Sequence, residues 1–262
     1  MELGLTGRRA LVTGASQGIG LAIAGALARE GCDVTLVARR EEVLAAEAAA
    51  LAAETGRKVH WATADLTVPG AADAAVETHV AAHGGLDILV NNAGASASGA
   101  FLSLTDADWE TSFAVKFHGA VRMCRAAFPA LVASGRGVII TNVGAAWKQP
   151  KPGFLVGASI NAALANFTKG LAQMGAEQGV RVVSMSSGPV RTAKLDATLR
   201  RMAAEAGRDV EELAAERARA AGMTRYANPQ DLGDLACFLA SDRAEHIHGA
   251  NIFVDGGQTR EL

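Results

Sequence analysis

Eight residues constrain this chain more than any others: Thr13-Gly14-Ala15-Ser16-Gln17-Gly18-Ile19-Gly20. They lie between a short apolar run, Arg9 to Thr13, and a stretch in which Ile19, Ile23, Ala26 and Leu27 recur at helical spacing. Three glycines at a strand-to-helix junction each have a use. Gly14 permits a tight turn, Gly18 lets a bound group approach the backbone, and Gly20 lets the helix pack closely on the strand. The N–H groups of the first helical turn are then free to meet an anion.

The rest of the chain repeats the strand-then-helix pattern. Compact apolar runs bounded by Gly, Asn, Asp or Ser occur at Arg9 to Thr13, Asp33 to Ala38, Val59 to Thr63, Leu86 to Asn91, Val138 to Asn142, Val180 to Ser186 and Ile252 to Val254. Such runs suit strands covered on both faces by helices. Helical periods fill the gaps, as in Leu232, Leu235, Ala236 and Leu239, or the Ala-rich Glu42 to Glu54. The pattern predicts an α/β fold with right-handed crossovers: one Rossmann-type domain over 1–262 with a doubly wound, seven-stranded parallel sheet. No repeat of solenoid length and no Pro/Ser-rich linker divides it. One stretch, Lys194 to Gly222, is charged, helix-prone and inserted between the last two strands. It reads either as a helical lid over the carboxyl ends of the strands or as a solvated helix pair.

Composition narrows the partners. A net charge of -2 leaves no basic stripe for nucleic acid and no polybasic patch for a membrane, so the expected partners are small molecules. Cys32, Cys124 and Cys237 share no metal-ligand spacing and sit in apolar or helical runs, which reads as buried reduced thiols with no metal site. No cleavage-like leader and no bilayer-length apolar run is found, so a cytoplasmic location is expected.

A glycine turn of this kind predicts a dinucleotide, with its pyrophosphate on Gly14, Ser16, Gln17, Gly18, Ile19 and Gly20. The second strand ends Val37-Ala38-Arg39-Arg40. A site selective for NAD(H) would place an acid there for the ribose 2′-hydroxyl; here Arg follows instead, and a guanidinium can fork onto a 2′-phosphate. The expectation is NADP(H) over NAD(H), held at Arg39. The alternative for Arg39 and Arg40 is a solvated pair at a helix start.

Five ordered motifs now make a resemblance plain. The Thr13–Gly20 turn, Asp65-Leu66, Asn91-Asn92-Ala93-Gly94, Ser187-Gly188-Pro189-Val190-Arg191-Thr192 and Val254-Asp255-Gly256-Gly257 resemble the short-chain dehydrogenase/reductase family over nearly the whole chain. The resemblance implies that Asp65 and Leu66 meet the adenine. It implies that Asn92, Ala93 and Gly94 line the adenine ribose and steady the central strand. Thr192 and the Val190 backbone would hold the nicotinamide carboxamide. It also implies a homo-oligomer, a tetramer or dimer.

The family's reaction rests on an Asn, a Ser, and a Tyr followed four residues later by Lys, and here the pattern breaks. Lys116 stands at the Asn position and Ala145, or Gly144 in the neighbouring register, at the Ser position. Aligned on Ala158-Ser159, the Tyr and Lys positions are Val156 and Ile160. A shifted register gives Phe154 with Ala158, or makes Asn161 the polar residue. No register supplies a phenol, because Tyr226 is the only tyrosine and lies beyond the insert.

Lys116 is the expected replacement, since a lysine pushed toward the interior loses pKa and can act as acid or base. Its alternatives are a carboxylate partner or an outward, snorkelling pose. His118, two residues on, should point elsewhere. Trp147, Lys148, Gln149 and Lys151 are candidates for the substrate pocket or simply loop surface, and Ser159 and Asn161 are polar but do not titrate near neutrality. An apolar helix face beside Trp147 and Phe154 suggests a small hydrophobic carbonyl substrate. The reading is an NADP(H)-binding oxidoreductase with an atypical active site; the alternatives are a lyase, isomerase or cyclase on the same scaffold, or a nucleotide-binding pseudoenzyme.

Overall fold

The apolar runs pair into one sheet. In a computed structural model, which describes residues 2–260, they become β1 (Arg9–Thr13), β2 (Asp33–Ala38), β3 (Val59–Thr63), β4 (Ile88–Asn91), β5 (Val138–Gly144), β6 (Arg181–Ser187) and β7 (Asn251–Val254). All pairings are parallel, in the order β3-β2-β1-β4-β5-β6-β7. The expected doubly wound sheet is therefore present. The chain reverses direction across the sheet between β1 and β4, which opens a crevice at their carboxyl ends.

The connecting helices are α1 (Gly18–Arg29), α2 (Glu41–Thr55), α3 (Ala71–His83), α4 (Asp106–Phe113), α5 (Gly119–Ser134), α6 (Leu155–Glu177), α7 (Ala193–Ala206), α8 (Val210–Ala220) and α9 (Pro229–Ala240). One core layer joins α1, α2 and α9 to the sheet through Ile23, Leu27, Leu44, Leu51, Leu232 and Leu239. The other joins α3, α5 and α6 through Val76, Met123, Leu131 and Ala172. Small residues let α1 and α9 cross closely. A Cβ on Gly233 would stand 3.0 Å from the Ala26 Cβ and 3.1 Å from the Ala22 carbonyl oxygen, which gives the Ala- and Gly-rich composition a packing role. Cys32, Cys124 and Cys237 are buried and unpaired, as expected.

Two buried polar clusters brace the frame. Asp87, fully buried, accepts from the Arg9 backbone and side chain at 2.8 Å and from Arg136 Nε at 3.1 Å. Burial alone would raise its carboxyl, but these hydrogen bonds outweigh burial and hold it at about 2. At the second, His79 Nδ1 lies 2.8 Å from Thr35 Oγ1, and His83 Nε2 lies 3.1 Å from the same oxygen.

Burial, and then the neighbouring His83, pull the His79 imidazole down to about 3. It is neutral in the fold but titrates near 6.5 in an unfolded chain. Its stabilising contribution is thus complete above about pH 6.5 and is lost as pH falls toward 3. Urea unfolding at pH 6.5 and pH 4.5 should show His79→Gln losing about 2 kcal/mol less than the parent over that step; equal losses would remove His79 as a source of acid sensitivity.

The 194–222 segment forms α7 and α8 between β6 and β7. Each buries only a thin stripe, Leu199 and Ala203 on α7 and Leu213, Ala214 and Ala218 on α8. Arg191, on the loop after β6, donates to Asp196 at 2.7 Å and to Glu211 at 2.6 Å, tying both helices to that loop.

Candidate active site

The glycine turn closes against the end of β4. Gly14 has φ +66°, and a Cβ there would sit 2.8 Å from the Ala93 Cα; a Cβ on Gly20 would collide with the Gly14 carbonyl oxygen. Thr13 Oγ1 accepts from the Asn92 and Ala93 N–H groups at 2.9 and 3.0 Å, and Asn92 Nδ2 donates to the Thr13 carbonyl at 3.1 Å. Asn142 Nδ2 in turn donates to Asn92 Oδ1 at 2.9 Å. Asn92 therefore steadies three strand ends at once.

Gln17 precedes α1 with extended backbone, and its side chain does not cap the helix. The first-turn N–H groups are thus left for an outside acceptor. Across the groove, the Thr192 Cγ2 methyl lies 3.4 Å from where a Gly18 Cβ would stand. Gly18 and Thr192 thus face each other across this cleft. Val190 is adjacent, its carbonyl oxygen taken by the Thr192 N–H at 2.8 Å.

Arg39 and Arg40 are both exposed beside this cleft. Arg40 donates to Gln17 Oε1 at 2.8 Å and reaches Ser16 Oγ at 3.4 Å, so it braces the turn itself. Asp65 accepts from the Thr67 backbone and hydroxyl at 2.9 and 2.7 Å. Those bonds, with Arg39 nearby, hold its carboxyl below the usual range. Leu66 is buried in the core layer beneath α5.

A cavity of about 360 Å³ continues the cleft past β5 and β6, with Lys116, Gly144, Ala145, Gln149, Lys151, Phe154, Asn161, Gly188 and Gln258 among its lining. Lys116 comes from a wide π-helical turn, Ala114–His118, between α4 and α5; such turns re-aim side chains and recur at functional sites. Its stem crosses Gly94, where a Cβ would be 2.9 Å from the Lys116 Cγ and Cδ. Its Nζ donates to Asn161 Oδ1 at 2.6 Å. Burial draws the ammonium down to about 8. Lys116 thus points inward onto a neutral amide, rather than to a carboxylate or to solvent. His118 is exposed, as expected.

Asn161 is 1% exposed, and its Nδ2 has no hydrogen-bond partner among the described residues. A lysine is a donor only, so Oδ1 must face it and Nδ2 must face away. That Nδ2 lies 2.5 Å from where a Gly144 Cβ would be, which places an unused donor on the cavity wall beside Lys116.

Here the structure corrects the alignment on Ala158-Ser159. Val156 and Ile160 are fully buried and pack with Val143 and Leu164 in a third core cluster. They line no part of the cavity. One residue on, Asn161 lines the cavity, and Gly157, four before it, lies against the Phe154 ring. Val156, Ile160 and Leu164 form an apolar stripe at helical spacing, and such a stripe turns to the core. The small and polar side of α6 is the one left for the cavity. A Cβ on Gly157 would run into the Phe154 ring, so that ring fills the space in front of Gly157.

The pocket loop also divides. Gln149 and Lys151 line the cavity, whereas Trp147 donates to Ser186 Oγ at 2.9 Å and stacks on Phe253 at 6.0 Å, with the Lys148 ammonium 5.8 Å above its ring. Ser159 is exposed, and Tyr226 is not among the lining residues. Of the expected apolar wall beside Trp147 and Phe154, Val156, Ile160 and Trp147 are outside the cavity lining, while Phe154 is part of it with Ala145, Ala146 and Pro189, beside the amides and lysines. No group of metal-ligating side chains occurs among the described residues, and none of their helices is long and apolar enough to cross a membrane.

Residues 14–259 match a family model described as enoyl-(acyl carrier protein) reductase. The oxidoreductase UcpA of Escherichia coli K12 is 35% identical over 260 residues, 97% of this chain and 95% of that one. The chain is a short-chain dehydrogenase/reductase. Among solved structures, the L-sorbose reductase of Gluconobacter frateurii, complexed with NADPH and L-sorbose, is similar at TM-score 0.95 and 34% identity, with 100% of both chains covered. So is an NADPH-bound short chain oxidoreductase from Pseudomonas aeruginosa PAO1 containing an atypical catalytic center, at TM-score 0.90 and 29% identity, covering 97% of this chain and 98% of that one.

Proposed function

We propose that this short-chain dehydrogenase/reductase is an NADP(H)-dependent carbonyl reductase in which Lys116 and Asn161 hold the reacting oxygen. The observation that carries the reading is the 2.6 Å pair between Lys116 Nζ and Asn161 Oδ1 at the cavity wall. The dinucleotide fits the cleft: a side chain at Gly14 or Gly20 would fill the cradle, and the uncapped start of α1 offers its N–H groups to phosphate. Gly14, Ser16, Gln17, Gly18, Ile19, Gly20, Asn92, Ala93, Gly94, Val190 and Thr192 would hold it, with Asp65 and Leu66 at the adenine and Arg39 at the 2′-phosphate. NADPH bound there supplies the hydride.

The protein's own residues supply the rest. Gly157 and Asn161 occupy the spacing that the family gives to Tyr and Lys, and Lys116 occupies the family's Asn position. The lysine and the asparagine are thereby exchanged between two helices, and both still line the cavity. Lys116 Nζ and the unpartnered Asn161 Nδ2 donate to a substrate oxygen, and negative charge growing on that oxygen strengthens both bonds. Lys116 then gives up a proton to the oxygen and is recharged from solvent. Gly144 and Ala145 bring no hydroxyl; the bare Gly144 makes room for the Asn161 amide. The α7–α8 pair is assigned as the lid, with Arg191 as its latch, and the chain as a cytoplasmic homo-oligomer, dimer or tetramer.

Following the absorbance of NADPH across a panel of ketones, enones and imines tests this. Consumption with a carbonyl substrate is expected; tight NADPH binding with no turnover on any class would overturn the reductase reading in favour of a non-redox enzyme or a pseudoenzyme. In the same assay Arg39→Asp should lower the NADPH-to-NADH ratio of kcat/KM by about 10- to 100-fold, the worth of a charge-assisted phosphate contact. An unchanged ratio would move the 2′-phosphate to Arg40 or away from both.

A further inference from the structure

We infer that the substrate is a carbonyl compound carrying a carboxylate, and that Lys151 receives that carboxylate while the carbonyl oxygen lies at Lys116. This rests on the reductase reading and adds the substrate class to it.

The lining of the cavity is one-sided in charge. It includes two lysines, Lys116 and Lys151, and no aspartate or glutamate. Its remaining polar lining is neutral: Gln149, Asn161, Ser187, Gln258 and Thr259. The carboxylates nearby are already engaged: Asp255, packed against Gly188, accepts from the Gly257 and Thr259 N–H groups at 3.0 and 2.9 Å, and Asp196 and Glu211, on α7 and α8, are both bonded to Arg191. Among the described residues Lys151 takes part in no salt bridge.

The two lysines differ in depth. Asn161 is buried and Lys116, bonded to it, is half-buried, whereas Lys151 is exposed on the short loop before α6. A desolvated ammonium aimed at a neutral amide suits a reacting oxygen, which becomes anionic only during the reaction. A solvated ammonium at the opening suits a permanent anion, which keeps much of its hydration there. The Gln149, Gln258 and Thr259 side chains beside it can donate to the remaining carboxylate lone pairs. An uncharged ligand would leave this rim without a matched partner, and a cationic one would face two like charges.

The test uses matched pairs: acetoacetate and levulinate against their methyl esters, and dihydroxyacetone phosphate against dihydroxyacetone. NADPH consumption gives kcat and KM, and calorimetry on the protein with NADP+ gives binding independently of turnover. The acids are expected to be favoured over their esters by about five- to tenfold in kcat/KM, through KM. Lys151→Ala should abolish that preference, and Lys151→Glu should reverse it, both read as the acid-to-ester ratio of kcat/KM within each variant.

Equal use of acid and ester, or a preference that survives Lys151→Glu, would overturn the proposal. A preference for the phosphate over the carboxylates would also overturn it, assigning the rim to a phosphate ester. Acid binding that depends on Lys151 without any turnover would keep the anion site and sink the reductase reading. If neither acid nor ester binds, the anion site itself falls.

Discussion

Replacing Lys116 with methionine is expected to lower kcat/KM for carbonyl reduction by about 10²- to 10⁴-fold, the loss that follows removal of a positioned general acid. Methionine keeps the length of the stem that crosses Gly94 and removes the charge and the donors. NADPH affinity, measured by fluorescence, should stay within about threefold, because Lys116 lies beyond the phosphate cradle. Unchanged turnover in this variant would remove Lys116 from the mechanism.

A second readout distinguishes a functional lysine from a structural one. The ammonium is held at about 8 in the fold, against 10.5 for the free side chain. A base with a lowered pKa opposes folding while protonated, and the opposition fades as pH rises through 8 toward 10.5. At pH 7 the Met variant should therefore be more stable than the parent, by up to about 3 kcal/mol. Loss of activity with gain of stability marks a group retained for chemistry. The parent's reduction rate should also fall as pH rises above about 8, where the proton is gone, and a flat profile to pH 9.5 would count against Lys116 as the acid.

Gly20→Val is expected to remove cofactor binding, raising the NADPH Kd by at least about 100-fold, while Tm falls by roughly 5–10 °C. The reason is local. A Cβ at this position collides with the Gly14 carbonyl oxygen and comes within 2.5 Å of Asn92 Nδ2. Relief requires the turn to open and Asn92 to leave the Thr13 carbonyl, which unties β1 from β4 at the proposed phosphate cradle. Calorimetry with NADPH and a thermal melt check both parts; retained affinity would show that the helix does not need its close approach to the turn.

The polypeptide itself determines the frame. Alternating apolar runs and helical periods set the seven parallel strands, because a strand covered on both faces must be apolar throughout, and that signal is local. The glycine turn and the ordered motifs after the strands are equally local, so the family and its NADP(H) cofactor could be read from the chain. Lys116 also stood out as a charged residue at a position the family leaves neutral.

Only the tertiary structure decided which side of α6 meets the cavity. Ile160 and Asn161 are neighbours in sequence, yet a helix turns them about 100° apart, and packing against Val143 and Leu164 sends the first to the core while the second lines the cavity. A one-residue slip in alignment therefore exchanged a core stripe for an active-site wall. The link from Lys116 to Asn161 spans 45 positions and depends on a π-helical turn and a bare glycine at 94, none of which local periodicity encodes. The identity of the residues was always in the chain; their meeting on one cavity wall belongs to the packing of α5 and α6 against the sheet.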